Sequence, residues 1–84
     1  MSEVKTTFDI IISFKNTQDA KAFFYEWEKR FDLTNPMMIS NFDDDGLSTG
    51  TALGVTVEDD PQLVTAFYKV LRADESVIDY DSEE

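Results

Sequence analysis

Apolar side chains alternate from residue 8 to residue 14: Phe8, Ile10, Ile12 and Phe14 share one parity, with Asp9 and Ser13 on the other. A period of two among β-branched and aromatic residues predicts a strand. Ile11 makes that strand nearly apolar on both sides, as a central strand would be. The period then changes. Ala20, Phe23, Phe24, Trp27 and Phe31 recur at i, i+3, i+4, i+7 and i+11, one stripe of an α-helix. Asn16 or Thr17 supplies its N-cap, with Asp19 in the first turn. Glu26 and Arg30 have the i, i+4 spacing for a pair on its outer side. The helix is expected to stop before Asn35-Pro36, because the residue before a proline avoids the helical region.

Met37 to Phe42 predicts a second strand, with weaker alternation, and Asp43-Asp44-Asp45-Gly46 a turn in which Gly46 takes a positive φ. A third strand is expected from about Ser48 to Val57, with Thr49, Thr51, Leu53, Val55 and Val57 on one face. Gly50 and Gly54 share the other face, where they leave room for a bulge or a close backbone approach. Asp59 or Asp60 caps a second helix with Pro61 at N1, and Leu63, Ala66, Phe67, Val70 and Leu71 form its buried stripe. Asp74-Glu75 end that helix. Ser76 to Tyr80 makes a short last strand. Residues 1–80 thus form a single domain, and residues 81–84 an acidic C-terminal tail.

The order β-α-β-β-α-β predicts an α+β fold, a ferredoxin-like sandwich with two helices on one face of a four-stranded antiparallel sheet. Its first and third strands are central, and here they are the longest or most apolar. The fold hosts many functions and names none.

Composition supports a folded chain. The 84 residues are 42% hydrophobic and 13% aromatic, enough for a core although a chain of this length buries only roughly 60–65% of its unfolded surface. The absence of cysteine excludes a disulfide framework and a thiolate nucleophile. No apolar run approaches the roughly 20 residues that span a bilayer, and the opening MSEVKTTFD lacks a signal-peptide pattern. The expected location is the cytoplasm, of a cell or of an infected host.

Charge changes the picture more. The net charge is −11, and residues 1–30 contribute none of it: Glu3, Asp9, Asp19, Glu26 and Glu28 balance Lys5, Lys15, Lys21, Lys29 and Arg30. After residue 30 only Lys69 and Arg72 oppose thirteen acids. Nucleic-acid backbones and anionic membranes need clustered bases and are disfavoured as partners. A basic protein surface is favoured.

The ferredoxin-like topology is expected to gather Asp43, Asp44 and Asp45 with Asp74 and Glu75 at one end, and Glu58, Asp59 and Asp60 with the tail (Asp79, Asp81, Glu83, Glu84) at the other. Residues two apart on a strand share a face at roughly 6.6 Å, so Asp79, Asp81 and Glu83 form a row resembling phosphates along a nucleic-acid strand. Tyr25, Tyr68 and Phe42 fall off the buried stripes or at an edge, and are candidate interface anchors. Solvated acids in turns and caps, and half-exposed tyrosines, are the plainer reading of each feature taken alone.

Catalytic equipment is missing. There is no histidine, no G-x-S-x-G elbow and no phosphate-binding glycine loop followed by lysine. Asn41, Asp43, Asp45 and Gly46 match the opening of a calcium loop, but its twelfth position is Ala52 rather than glutamate, and the flanks read as strands. The expectation is a non-enzymatic module with no cofactor and no metal.

Two functions follow. In the first, a small acidic protein inhibits or modulates a basic nucleic-acid-binding enzyme or regulator by charge mimicry, a composition shared with phage and mobile-element inhibitors and with nuclease immunity proteins. In the second, a ferredoxin-like homo-oligomer has a regulatory or scaffolding role and covers the open sheet face (Asp9, Ile11, Ser13) by dimerisation. An RNA-binding sheet would carry aromatic and basic residues where this face offers an acid and an isoleucine.

Overall fold

The alternating first segment forms β1 (Thr7–Phe14), and the helical stripe forms α1 (Thr17–Trp27). They are followed by β2 (Thr34–Phe42), β3 (Ser48–Glu58), α2 (Pro61–Ala73) and β4 (Val77–Ser82). This computed structural model describes residues 6–82, the Ser48 side chain excepted. The strands make one antiparallel sheet in the order β2-β3-β1-β4, with β1 and β3 central, as the topology predicts.

Parity decides what each strand buries. Ile10, Ile12 and Phe14 of β1 and Thr51, Leu53, Val55 and Val57 of β3 face the helices and are buried. Ala20, Phe23 and Phe24 of α1 and Phe67 and Leu71 of α2 close the core from above, with Phe31 and Leu33 from the following turn. Phe67 ties α2 to the α1 side of the core: its ring lies edge-on to Phe31 at 5.1 Å and to Phe23 at 6.1 Å.

Caps set the helix ends. Asn16, rather than Thr17, caps α1, its Oδ1 accepting from Asp19 N at 2.8 Å. Asp60, rather than Asp59, caps α2 by accepting from the Gln62 and Leu63 amides, with Pro61 at N1. Thr17 is thereby freed for another role. Its Oγ1 meets Ser40 Oγ at 2.7 Å and Thr51 Oγ1 at 3.0 Å, and Ser40 meets Thr51 at 3.2 Å. This ring of hydroxyls satisfies Thr51, a buried polar side chain in the helix–sheet interface.

Several boundaries depart from those expected of the sequence. α1 ends at Trp27, and Phe31 reaches the core through a turn, its amide bonding Trp27 O at 3.1 Å. With the helix ended, the Glu26–Arg30 pair does not form; the Arg30 guanidinium lies 5.8 Å from the ring centres of both Trp27 and Phe31. β2 begins at Thr34, and Asn35-Pro36 sit inside it as a bulge between the Thr34–Thr56 and Met37–Gly54 pairings. Asn35 takes φ 51°, and the proline lies on an edge strand, where its missing N–H is tolerated. Thr49 drops out of the β3 alternation because Phe42 pairs with Ser48 and Asn41 with Gly50. Gly50 permits that kink: its φ is 149°, and a Cβ there would sit 3.4 Å from Phe14 O. β4 runs to Ser82, two residues beyond the expected end at Tyr80.

Candidate protein-binding surface

The sheet registers place the acids. Phe14 pairs with Thr51 and Val77, so the Asp43–Asp45 hairpin and the α2–β4 turn with Asp74 and Glu75 lie at the Phe14 end of the sandwich. Thr7 pairs with Glu58, which puts Glu58, Asp59 and Asp60 at the opposite end. Asp79 and Asp81 do not join them. β4 runs antiparallel to β1 with Asp79 opposite Ser13 and Asp81 opposite Ile11, so both lie along the sheet on its open face. Glu83 of the expected carboxylate row lies outside the described residues.

Local structure already employs part of the acidic set. Asp43 Oδ1 accepts from the Asp45 and Leu47 amides at 3.0 and 2.9 Å, closing the hairpin whose turn uses Gly46 at φ 81°. That geometry accounts for the calcium-loop-like spacing as an aspartate turn. Asp60 caps α2 at one end; at the other, Asp74 N–H donates to Val70 O, and the Asp74 carboxylate accepts from Ser76 N and Oγ to close the turn into β4. Asp44, Asp45, Asp59, Glu75, Asp79 and Asp81 are exposed.

The aromatic candidates separate. Tyr25 is 72% exposed and Phe42 is 64% exposed, both large apolar surfaces open to a partner. Tyr68 differs. Its ring stacks on Tyr80 at 5.6 Å and 25°, its hydroxyl donates to Ser82 Oγ, and it is half-buried between α2 and β4. Residues 68 and 80 meet only through the β4 register, which the helical wheel of α2 does not contain.

The sequence names Asp9, Ile11 and Ser13 on the open face, and the strand registers add what stands beside them. Across the face run two rows of paired residues: Asp81–Ile11–Gly54–Met37 and Asp79–Ser13–Ala52–Ile39. Ile11 is 53% exposed, Met37 65% and Ile39 57%. Between these walls the β3 floor is Gly50, Ala52, Gly54 and Thr56. The trough contains a shallow depression of about 470 Å³ beside Ile11, Met37 and Gly54. A polar row closes it at the Thr7 end: Asn35 Nδ2 donates to Thr56 Oγ1 at 3.3 Å, and Thr56 Oγ1 donates to Asp9 Oδ1 at 2.6 Å.

Charge follows the layers. Among the described residues the four strands contain Asp9, Glu58, Asp79 and Asp81 and no lysine or arginine, while α2 contains Lys69 and Arg72 and no acid. The first-third and last-two-thirds asymmetry of the sequence thus becomes, in three dimensions, a sheet without bases under a helical layer that holds some.

These features define a ferredoxin-like α+β domain whose second sheet face is uncovered in the single chain. No protein family model matches the sequence, and no curated protein is similar to it. Among solved structures the chain is similar to a de novo designed protein, Ferredog-Diesel, at 15% identity over 100% of this chain and 90% of that one, with a TM-score of 0.43. No helix among the described residues is long and apolar enough to cross a membrane.

Proposed function

We propose that this chain is a protein-binding module that inhibits or modulates a basic nucleic-acid-binding protein by presenting carboxylates in place of phosphates. The observation that carries the reading is the base-free sheet, with Asp79 and Asp81 two residues apart on its open face and Asp9 on the neighbouring strand. A surface of one sign steers an oppositely charged partner and repels nucleic acid itself. The test is competition for DNA. Adding the protein to a complex of DNA with a basic DNA-binding enzyme from the same cell is expected to release DNA, in proportion to protein added. Phosphate-directed contacts weaken steeply with salt, so the release should fade between about 50 and 200 mM salt. Release indifferent to salt would falsify the mimicry.

A second reading rests on the exposure of Ile11: a homo-oligomer that covers the sheet face with another copy. Light scattering separates the two, since this reading requires a dimer in the pure protein.

A further inference from the structure

We infer that the partner docks a basic amphipathic α-helix along the trough over β3. The inference rests on the charge-mimicry reading and gives it a surface and an occupant. Three observations select the occupant. The first is width: the walls, Ile11 on β1 and Met37 and Ile39 on β2, stand on strand axes two spacings apart, roughly 9.6 Å, so a helix roughly 10–12 Å across rests on both walls and inserts one row of side chains between them. The floor between them bears only Gly50, Ala52, Gly54 and Thr56, so a helix can approach the backbone of β3.

The second is chemistry along the walls. Apolar side chains at i, i+3, i+4 and i+7 of a docking helix would cover Ile11, Met37 and Ile39, the exposed apolar side chains of the two walls. The third is charge. Asp79 and Asp81 flank the Ile11 wall, and Asp9 stands at the end of the trough with its carboxylate held by Thr56. Lysines and arginines on the flank of the helix meet them. A second copy of this chain is a poor match by the same criterion. It would bring its own Asp9, Asp79 and Asp81 and no base from any strand, across a sheet-to-sheet distance of roughly 10 Å. A basic helix is also what many DNA-binding proteins lay in the major groove, which ties the occupant to the proposed function.

The probe is a synthetic peptide with leucine at helical spacing and lysine on its flanks, compared with a peptide of identical composition at strand spacing. Titration into the isotope-labelled full chain is followed by amide chemical shifts. The helical peptide is expected to shift Ile11, Met37, Ile39 and Gly54 amides and to bind more tightly than its rearranged control. Ile11→Asn with Ile39→Asn should weaken it about tenfold or more, and Asp79→Asn with Asp81→Asn should flatten its salt dependence, while core amides keep their shifts. Shifts confined to Asp43–Asp45 or Glu58–Asp60, or equal binding of both peptides, overturn the trough. So do concentration-dependent shifts of the trough amides without peptide, which would assign the face to a second copy. The charge-mimicry reading fails separately, if the wild-type protein leaves a DNA complex intact while the helical peptide still maps to the trough.

Discussion

The two faces of this sheet are built from the same strands and differ in everything else. The helix-facing side carries Ile10, Ile12, Leu53, Val55 and Val57, all fully or almost fully buried. The other side, one residue out of step, carries Ile11, Met37 and Ile39 in the open, with Asp9, Asp79 and Asp81 around them. Strand parity is a simple way to separate tasks: one face is committed to stability, and the other is free to vary with little effect on it. That division predicts where substitutions unfold the chain and where they only change what it binds.

The sharpest break is Phe67→Ala. Its ring touches both Phe23 and Phe31 and joins α2 to the α1 layer, and the truncation is expected to cost about 3–5 kcal/mol. That is a large share of the roughly 5–15 kcal/mol of a typical domain. Urea unfolding followed by tryptophan fluorescence measures it; a loss under about 1 kcal/mol would show that the core does not depend on this ring.

Thr51→Val tests the polar part of the same face. It keeps the shape and deletes the hydroxyl bonded to Thr17 and Ser40, for an expected loss of about 1.5 kcal/mol. Repeating the change in a Ser40→Ala background should reduce the penalty, and full additivity would mean that the ring is not a cooperative unit. Asp60→Ala removes the α2 cap and is expected to cost about 1 kcal/mol, read as a shift in the urea midpoint with an unchanged slope.

The smallest effect belongs to the open face. Ile39→Thr is expected to alter stability by no more than about 0.5 kcal/mol, because the side chain is already in water and threonine suits a strand. A loss comparable with Phe67→Ala would dissolve the distinction between the faces.

Much of this architecture is legible in the amino-acid sequence. Two periodicities, two capped helices and one aspartate-glycine turn suffice for the element order, and the order leaves few topologies. What the sequence conceals is whatever depends on register. The hydroxyl ring joins residues 17, 40 and 51, none of which is unusual by itself. The Tyr68–Tyr80 stack needs β4 beside β1, and the separation of Asp79 and Asp81 from Glu58–Asp60 depends on how far β4 extends. The irregularity at Thr49 interrupts alternation that reads as continuous, and Asn35-Pro36, expected to lie before β2, sits inside it as a bulge. Arg30 stacks on Trp27 and Phe31 because α1 stops a turn earlier than its apolar stripe suggests. The trough, too, is a property of three adjacent strands, and a single strand taken alone shows only its isoleucine.

β2 has one further consequence. It is a sheet-edge strand of nine residues, TNPMMISNF, without a single charge. An uncharged edge is a template for pairing with another edge, and here the irregularities at Asn35-Pro36 and Asn41/Phe42 blunt its two ends and leave Met37 to Asn41 regular between them. At neutral pH the net charge of −11 holds copies apart from a distance. Near the isoelectric point of about 4.1 that repulsion vanishes while the β2 edge is unchanged. The colloidal stability of this protein is therefore expected to collapse sharply in mild acid. Its first aggregates should protect the amides of Met37 to Asn41 from hydrogen exchange, and aggregates that leave them exchanging freely would locate the sticking point elsewhere.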